Sequence, residues 1–185
     1  MGFRMLRTAA ALVTVLLLAG CVPREPVITP EPDPASTPVF ASDEEALAAA
    51  TEAYARYLEV SDQIFTEGGV EAQRMAAVAT GEKLKVELAS FSEFMAGGFR
   101  GTGNTTFEAA TLQEYDQNAV EGERAIVVYL CEDISQTDVL SSSGESVVSA
   151  DRPSRVKYEV AFDLIPPNST LLFVSDKVPW SNEPC

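Results

Sequence analysis

Asp133, Tyr54, Tyr57 and Tyr115 are the side chains whose chemistry stands out first in this chain. Proton-transfer catalysis needs a carboxylate with a raised pKa and a partner acid in a dry pocket. Asp133 follows the apolar run 125–131 and is the best-placed carboxylate for that role, and the three tyrosines can donate to a developing oxyanion. A plainer reading exists for each. Asp133 at a strand end is a turn former, and tyrosines at helical spacing are core residues with hydroxyls at a rim. A histidine acid or base is excluded because the chain has no histidine. Without histidine, Cys131 and Cys185 also fall short of a zinc ligand set, so neither a metal nor a cofactor is expected. No catalytic motif rises above background, and a non-enzymatic role is the expectation.

The amino terminus says more about place than about chemistry. Arg4 and Arg7 precede an apolar run from Thr8 to Leu18. That run is far shorter than the ~20 residues needed to cross a bilayer. A basic start, a short apolar core and small residues at the end read as a secretory signal over residues 1–20. Leu18-Ala19-Gly20-Cys21 resembles the lipobox of bacterial lipoproteins. The resemblance implies diacylglycerol on the Cys21 sulfur, cleavage before it, and acylation of the new amino group. Each buried methylene contributes about 0.8 kcal/mol to membrane binding, so two chains anchor firmly where one does not. The expected location is the extracytoplasmic face of the cell membrane. Residues 22–41 carry prolines at 23, 26, 30, 32, 34 and 38. Proline fixes φ and lacks an amide donor, so this segment reads as an extended tether of up to roughly 60 Å.

With Cys21 lipidated, Cys131 and Cys185 form an even pair in an exported protein, which reads as a disulfide. The alternative is two free thiols, one buried and one at a frayed end. A bond would close a loop of about 55 residues, valued at roughly 4 kcal/mol by chain entropy. It would also pin the tail 179–185 against a central strand. The net charge is −15, and removing Arg4 and Arg7 with the signal, but no acid, takes it to about −17. Such a surface argues against nucleic acid and against flat contact with anionic lipid. It suits a cationic partner or calcium, although high acidity often serves only solubility.

The elements that must position these residues follow from periodicity. Ser42-Asp43-Glu44-Glu45 is a capping box, predicting a helix that ends near Gly68-Gly69. Its apolar face runs through Leu47, Ala50, Tyr54, Tyr57, Leu58, Ser61, Ile64 and Phe65. A shorter helix is predicted over 70–79, and a third over 82–95 with Leu84, Leu88, Phe91 and Met95 on one side. Strand periodicity then takes over. Phe107, Ala109, Thr111, Gln113 and Tyr115 are placed on one strand face, and 125–131 reads as a central strand. Residues 155–164 alternate as a half-buried strand, 171–174 gives another, and 146–148 a short one after a turn at Gly144. Pro166-Pro167-Asn168 marks a further hairpin. Helices followed by antiparallel strands predict one α+β domain over 42–185, with N-terminal helices packed on a curved sheet.

The order of these helices, Gly98-Phe99-Arg100-Gly101, Val127-Val128-Tyr129-Leu130-Cys131-Glu132-Asp133, Gly144 and the terminal Cys185 resembles a group of actinobacterial-type lipoproteins. Their domain is similar to nuclear transport factor 2 and ketosteroid isomerase, a cone-like α+β roll. Relatives often carry a Trp on the last strand, where this chain has Leu171-Leu172, and its single Trp180 lies in the tail. A cone hollow would be lined by Tyr54, Tyr57, Phe91, Met95, Phe107 and Tyr158, with Asp133 as its carboxylate, and would take a small apolar or amphipathic ligand. The alternatives are that these side chains fill the hollow themselves, or that the domain is a scaffold docking an envelope protein through its sheet.

Overall fold

Ser42 starts the fold. Its side chain accepts the Glu45 amide at 3.3 Å, while the Glu45 carboxylate reaches back to the Ala41 amide at 2.8 Å. The computed structural model describes residues 38–120, 122–165, 171–180 and 185. The predicted signal, Cys21, most of the tether and the Pro166-Pro167-Asn168 hairpin lie outside the described residues.

Helix α1 spans Asp43–Thr66, with acids at the end where the helix dipole favours them. Ala46, Ala50, Ala53, Tyr54, Tyr57, Leu58 and Ile64 are its buried residues. Two glycines stop it. Gly69 has φ +84, and a Cβ there would meet the Phe91 carbonyl oxygen at 2.5 Å, so a side chain is excluded twice over.

The predicted second helix is only a 3-10 turn, Ala72–Ala77. Glu71 before it is left-handed, with φ 56, which interrupts any α-helical run from Val70. Met75 anchors the turn in the core at 0% exposure. The chain then runs beside the last strand, with the Thr80 amide donating to the Val174 carbonyl at 2.9 Å. Helix α2 follows over Gly81–Ala96.

The main sheet is antiparallel in the order β2-β3-β5-β6 and is not closed into a barrel. Its strands are β2, Thr106–Tyr115, β3, Arg124–Asp133, β5, Arg155–Leu164, and β6, Leu172–Pro179. A two-stranded ribbon pairs β1, Arg100–Thr102, with β4, Asp138–Leu140. The strand predicted at 146–148 reduces to one bridge, Leu140 to Ser146. α1 lies against β2, β3 and β6, and α2 against β6. The domain is therefore α+β with its helices packed on an antiparallel sheet. Among the described residues no helix is long and apolar enough to cross a membrane.

Two register shifts in β2 overturn the single face predicted there. They fall between Glu108 and Thr111 and between Leu112 and Glu114. Each extra residue moves the following side chains to the other face. Phe107, Ala110, Leu112 and Tyr115 consequently pack on the core, while Thr111 and Gln113 are exposed.

Candidate functional site

On β3 the inner face continues from Ile126, Val128 and Leu130 to Glu132, which is 4% exposed. A carboxylate so placed must be partnered. Its Oε1 accepts the Tyr54 hydroxyl and the Lys177 Nζ, the latter at 2.6 Å. Lys177 reaches it from β6 through a bulge. Val174 pairs with Phe162 and Asp176 with Ala161, leaving Ser175 unpaired, so Lys177 rather than Asp176 turns inward. The ammonium lies 4.2 Å from the Tyr158 ring centroid and 5.9 Å from those of Tyr54 and Tyr57. Cation–π attraction adds to the ion pair there.

A second set of the same three residue types lies alongside. The Tyr57 hydroxyl donates to Glu87 Oε1 at 2.5 Å, and Lys83 pairs with that same oxygen across one turn of α2. The Tyr54 and Tyr57 rings stack, with centroids 5.6 Å apart. Burial, then the adjacent carboxylates, push both phenols well above the ordinary tyrosine range, so both remain hydrogen-bond donors. Burial pulls Lys177 down, against the opposing pull of Glu132. Glu132 and Lys177 have the types required for acid–base work, but each already holds the other.

Of the residues predicted to share a hollow, the structure brings Tyr54, Tyr57, Phe91, Phe107 and Tyr158 together in or against the core, where they fill the space, and places Met95 and Asp133 outside it. Tyr54 and Tyr57 fill the interior at 0% and 2% exposure, and Phe91 is buried on α2. Tyr158 is partly buried beneath Lys177, and Phe107 packs edge-on against Tyr54 at 5.0 Å. Met95 is 51% exposed at the end of α2, outside the interior, because Phe94 takes the inward place and packs against the Phe65 and Phe99 rings. Asp133 ends β3 on the outer face. It caps its own turn through the Ser135 amide at 2.9 Å, and its hydrogen bonds to Ser135 hold the carboxyl below the usual range. Tyr115 is committed elsewhere, accepting the Phe40 amide and donating to the Phe40 carbonyl.

Glu132, Glu87 and Lys177 are the residues that sequence reasoning missed. Parity along β3 carries the signal for Glu132, two positions beyond Leu130. The i, i+4 spacing from Lys83 on the face of Leu84 and Phe91 carries it for Glu87. Lys177 has no local signal, because a bulge cannot be read from alternation.

On the outer face Cys131 is joined to Cys185, with Cα atoms 6.1 Å apart. The Trp180 ring packs against Tyr129 with centroids 4.5 Å apart, so Trp180 and Cys185 both lie on this part of β3.

Between α1 and the start of β2 lies an open cleft of about 560 Å³. Ala55, Leu58 and Phe107 form its apolar part. Glu59, Asp62, Gln63 and Thr66 from α1 face residues 104–106 across it. Asp62 Oδ2 accepts the Thr105 amide at 2.9 Å, and burial raises the Asp62 pKa against the lowering effect of the Thr105 hydrogen bonds. Through Phe107 the cleft abuts Tyr54 and the buried network.

No protein-family model matches the chain, and no curated protein matches it. A solved structure similar to it is the intermembrane space region of the chloroplast protein ARC6, with a TM-score of 0.49 and 11% identity over 72% of this chain and 95% of that one.

Proposed function

We propose that this is a lipid-anchored, extracytoplasmic protein whose α+β domain binds a small molecule without transforming it, in the cleft between α1 and β2. One observation carries the reading. The space between helices and sheet is filled by Tyr54, Tyr57, Glu132 and Lys177, whereas the neighbouring cleft of about 560 Å³ stays open. That volume falls within the size range of small-molecule sites, roughly 300–1,000 Å³. The cleft combines an apolar floor with polar groups that can orient a ligand, as such sites do.

Two features favour binding over catalysis. The Glu132 carboxylate that would serve as a base is occupied by an ammonium and a phenol. Asp133 is held ionised within its own turn, the wrong state for a general acid near neutral pH. The anchor and the outward orientation rest on the lipobox resemblance at Cys21 and on the proline-rich segment after it.

The test is native mass spectrometry of membrane-extracted protein. Ala55→Trp is the cleft-filling variant, because Ala55 is exposed on α1 and lines the cleft. A bound small molecule in the native chain that is lost in Ala55→Trp is the expected result.

A further inference from the structure

Resting on that cleft-binding reading, we infer that the α1–β2 cleft takes a small organic ammonium ion, held at its charged end by Asp62 and Glu59 and along its apolar body by Leu58 and Phe107. Both carboxylates lie on one face of α1, three residues apart, and both line the cleft. Among the described residues no Lys or Arg lines it.

Two other acids of the same helix are already engaged. Glu52 pairs with Arg56 at 3.1 Å, and Glu45 caps the helix start. Among the described residues neither Glu59 nor Asp62 is in an ion pair, although Asp62 is held in place by the Thr105 amide. Arg152 lines a smaller cleft of about 240 Å³ on the other side of Asp62. Its guanidinium is spent on the Ile134 and Thr137 carbonyls, at 3.1 and 2.7 Å.

A half-buried carboxylate with no counter-ion is stabilised by a ligand that brings one. The buried Glu132 adds to the negative potential at Asp62, and Lys177 offsets it only in part, since its charge is already shared with Glu132. A calcium or magnesium ion takes about six or more oxygen ligands, and a zinc ion about four N, S or O ligands. Among the described residues no group of three or more acidic or cysteine side chains is placed to hold a metal ion. Two carboxylates above an apolar floor suit an ammonium on a hydrocarbon body instead.

The test is calorimetric titration of the full-length protein in non-ionic detergent, with the detergent-alone titration subtracted. The probes are phenethylammonium, its neutral analogue 2-phenylethanol, and N-acetyl-lysine methylamide. Asp62→Asn keeps the oxygen that accepts the Thr105 amide and removes only the charge. Phenethylammonium is expected to bind about tenfold tighter than 2-phenylethanol, and Asp62→Asn to erase that difference, with Glu59→Gln giving a smaller loss. Equal binding of the charged and neutral probes overturns the inference and leaves the cleft-binding reading standing. Binding of no probe overturns both. Tighter binding of the capped lysine than of phenethylammonium overturns the small-molecule occupant in favour of a lysine presented on a polypeptide.

Discussion

Lys177 meets Glu132 at 2.6 Å inside the helix–sheet interface because β6 carries one extra residue, Ser175, ahead of it. Without that bulge the inward position would fall to Asp176, and two carboxylates would face each other beside Tyr54. The bulge therefore sets the charge balance of the interior and the filling of the space beside the cleft.

Lys177→Met should be strongly destabilising, by about 3–5 kcal/mol, because it strands a buried carboxylate. Lys177→Met combined with Glu132→Gln should recover part of that loss. Urea unfolding of the two single variants and the double variant measures the coupling.

Alkaline pH should weaken the fold. Tyr54 and Tyr57 have native pKa values raised above the ordinary 10.0, so their contribution is complete below pH 10 and lost as pH rises through the native values. Lys177 acts the other way, since a native pKa below 10.5 imposes a cost that fades as pH approaches 10.5. Two phenols against one ammonium predict a net fall in melting temperature above pH 10, read from thermal melts between pH 7 and 11.

Gly69→Ala should cost about 1–3 kcal/mol, since the new Cβ has both a left-handed backbone and the Phe91 carbonyl to contend with. Chemical denaturation gives the number, and Gly144→Ala, with open space around it, separates the clash from the backbone term.

The Cys131–Cys185 bond should survive non-reducing mass spectrometry as a linked peptide pair. Cys185→Ser should lower stability by up to about 4 kcal/mol. It should also shift Trp180 fluorescence to the red as the indole leaves Tyr129.

The parts of the fold legible in the sequence are those governed by local rules. The capping box at Ser42, the strand over 155–164 and the cysteine pair all appear in the structure. What escaped was set by register and by tertiary contact. The bulges of β2 and β6 reverse alternation without leaving a compositional trace. The ribbon between β1 and β4 depends on Gly101 packing directly against the Phe65 ring, a contact between distant segments. Asp133 drew attention as a carboxylate at a strand end, but its parity points outward, and Glu132 one residue earlier carries the buried charge. The cleft was illegible for the same reason. Its walls come from α1 and from residues 104–107, about 40 positions further along the chain.

Replacing Cys21 by Ala should move the protein from the membrane fraction to the soluble extracytoplasmic fraction, because the acyl chains on Cys21, at least two of them, are the hydrocarbon anchor that the lipobox reading supplies. Fractionation with immunodetection reads the result, and continued membrane retention contradicts the anchor.

Native mass spectrometry of membrane-extracted protein, comparing the natural chain with Ala55→Trp, tests the binding role most directly. The account predicts an extra small-molecule mass on the natural chain and its absence from a variant of unchanged melting temperature. A natural chain that carries no bound mass, or an Ala55→Trp chain that keeps the same one, would contradict it.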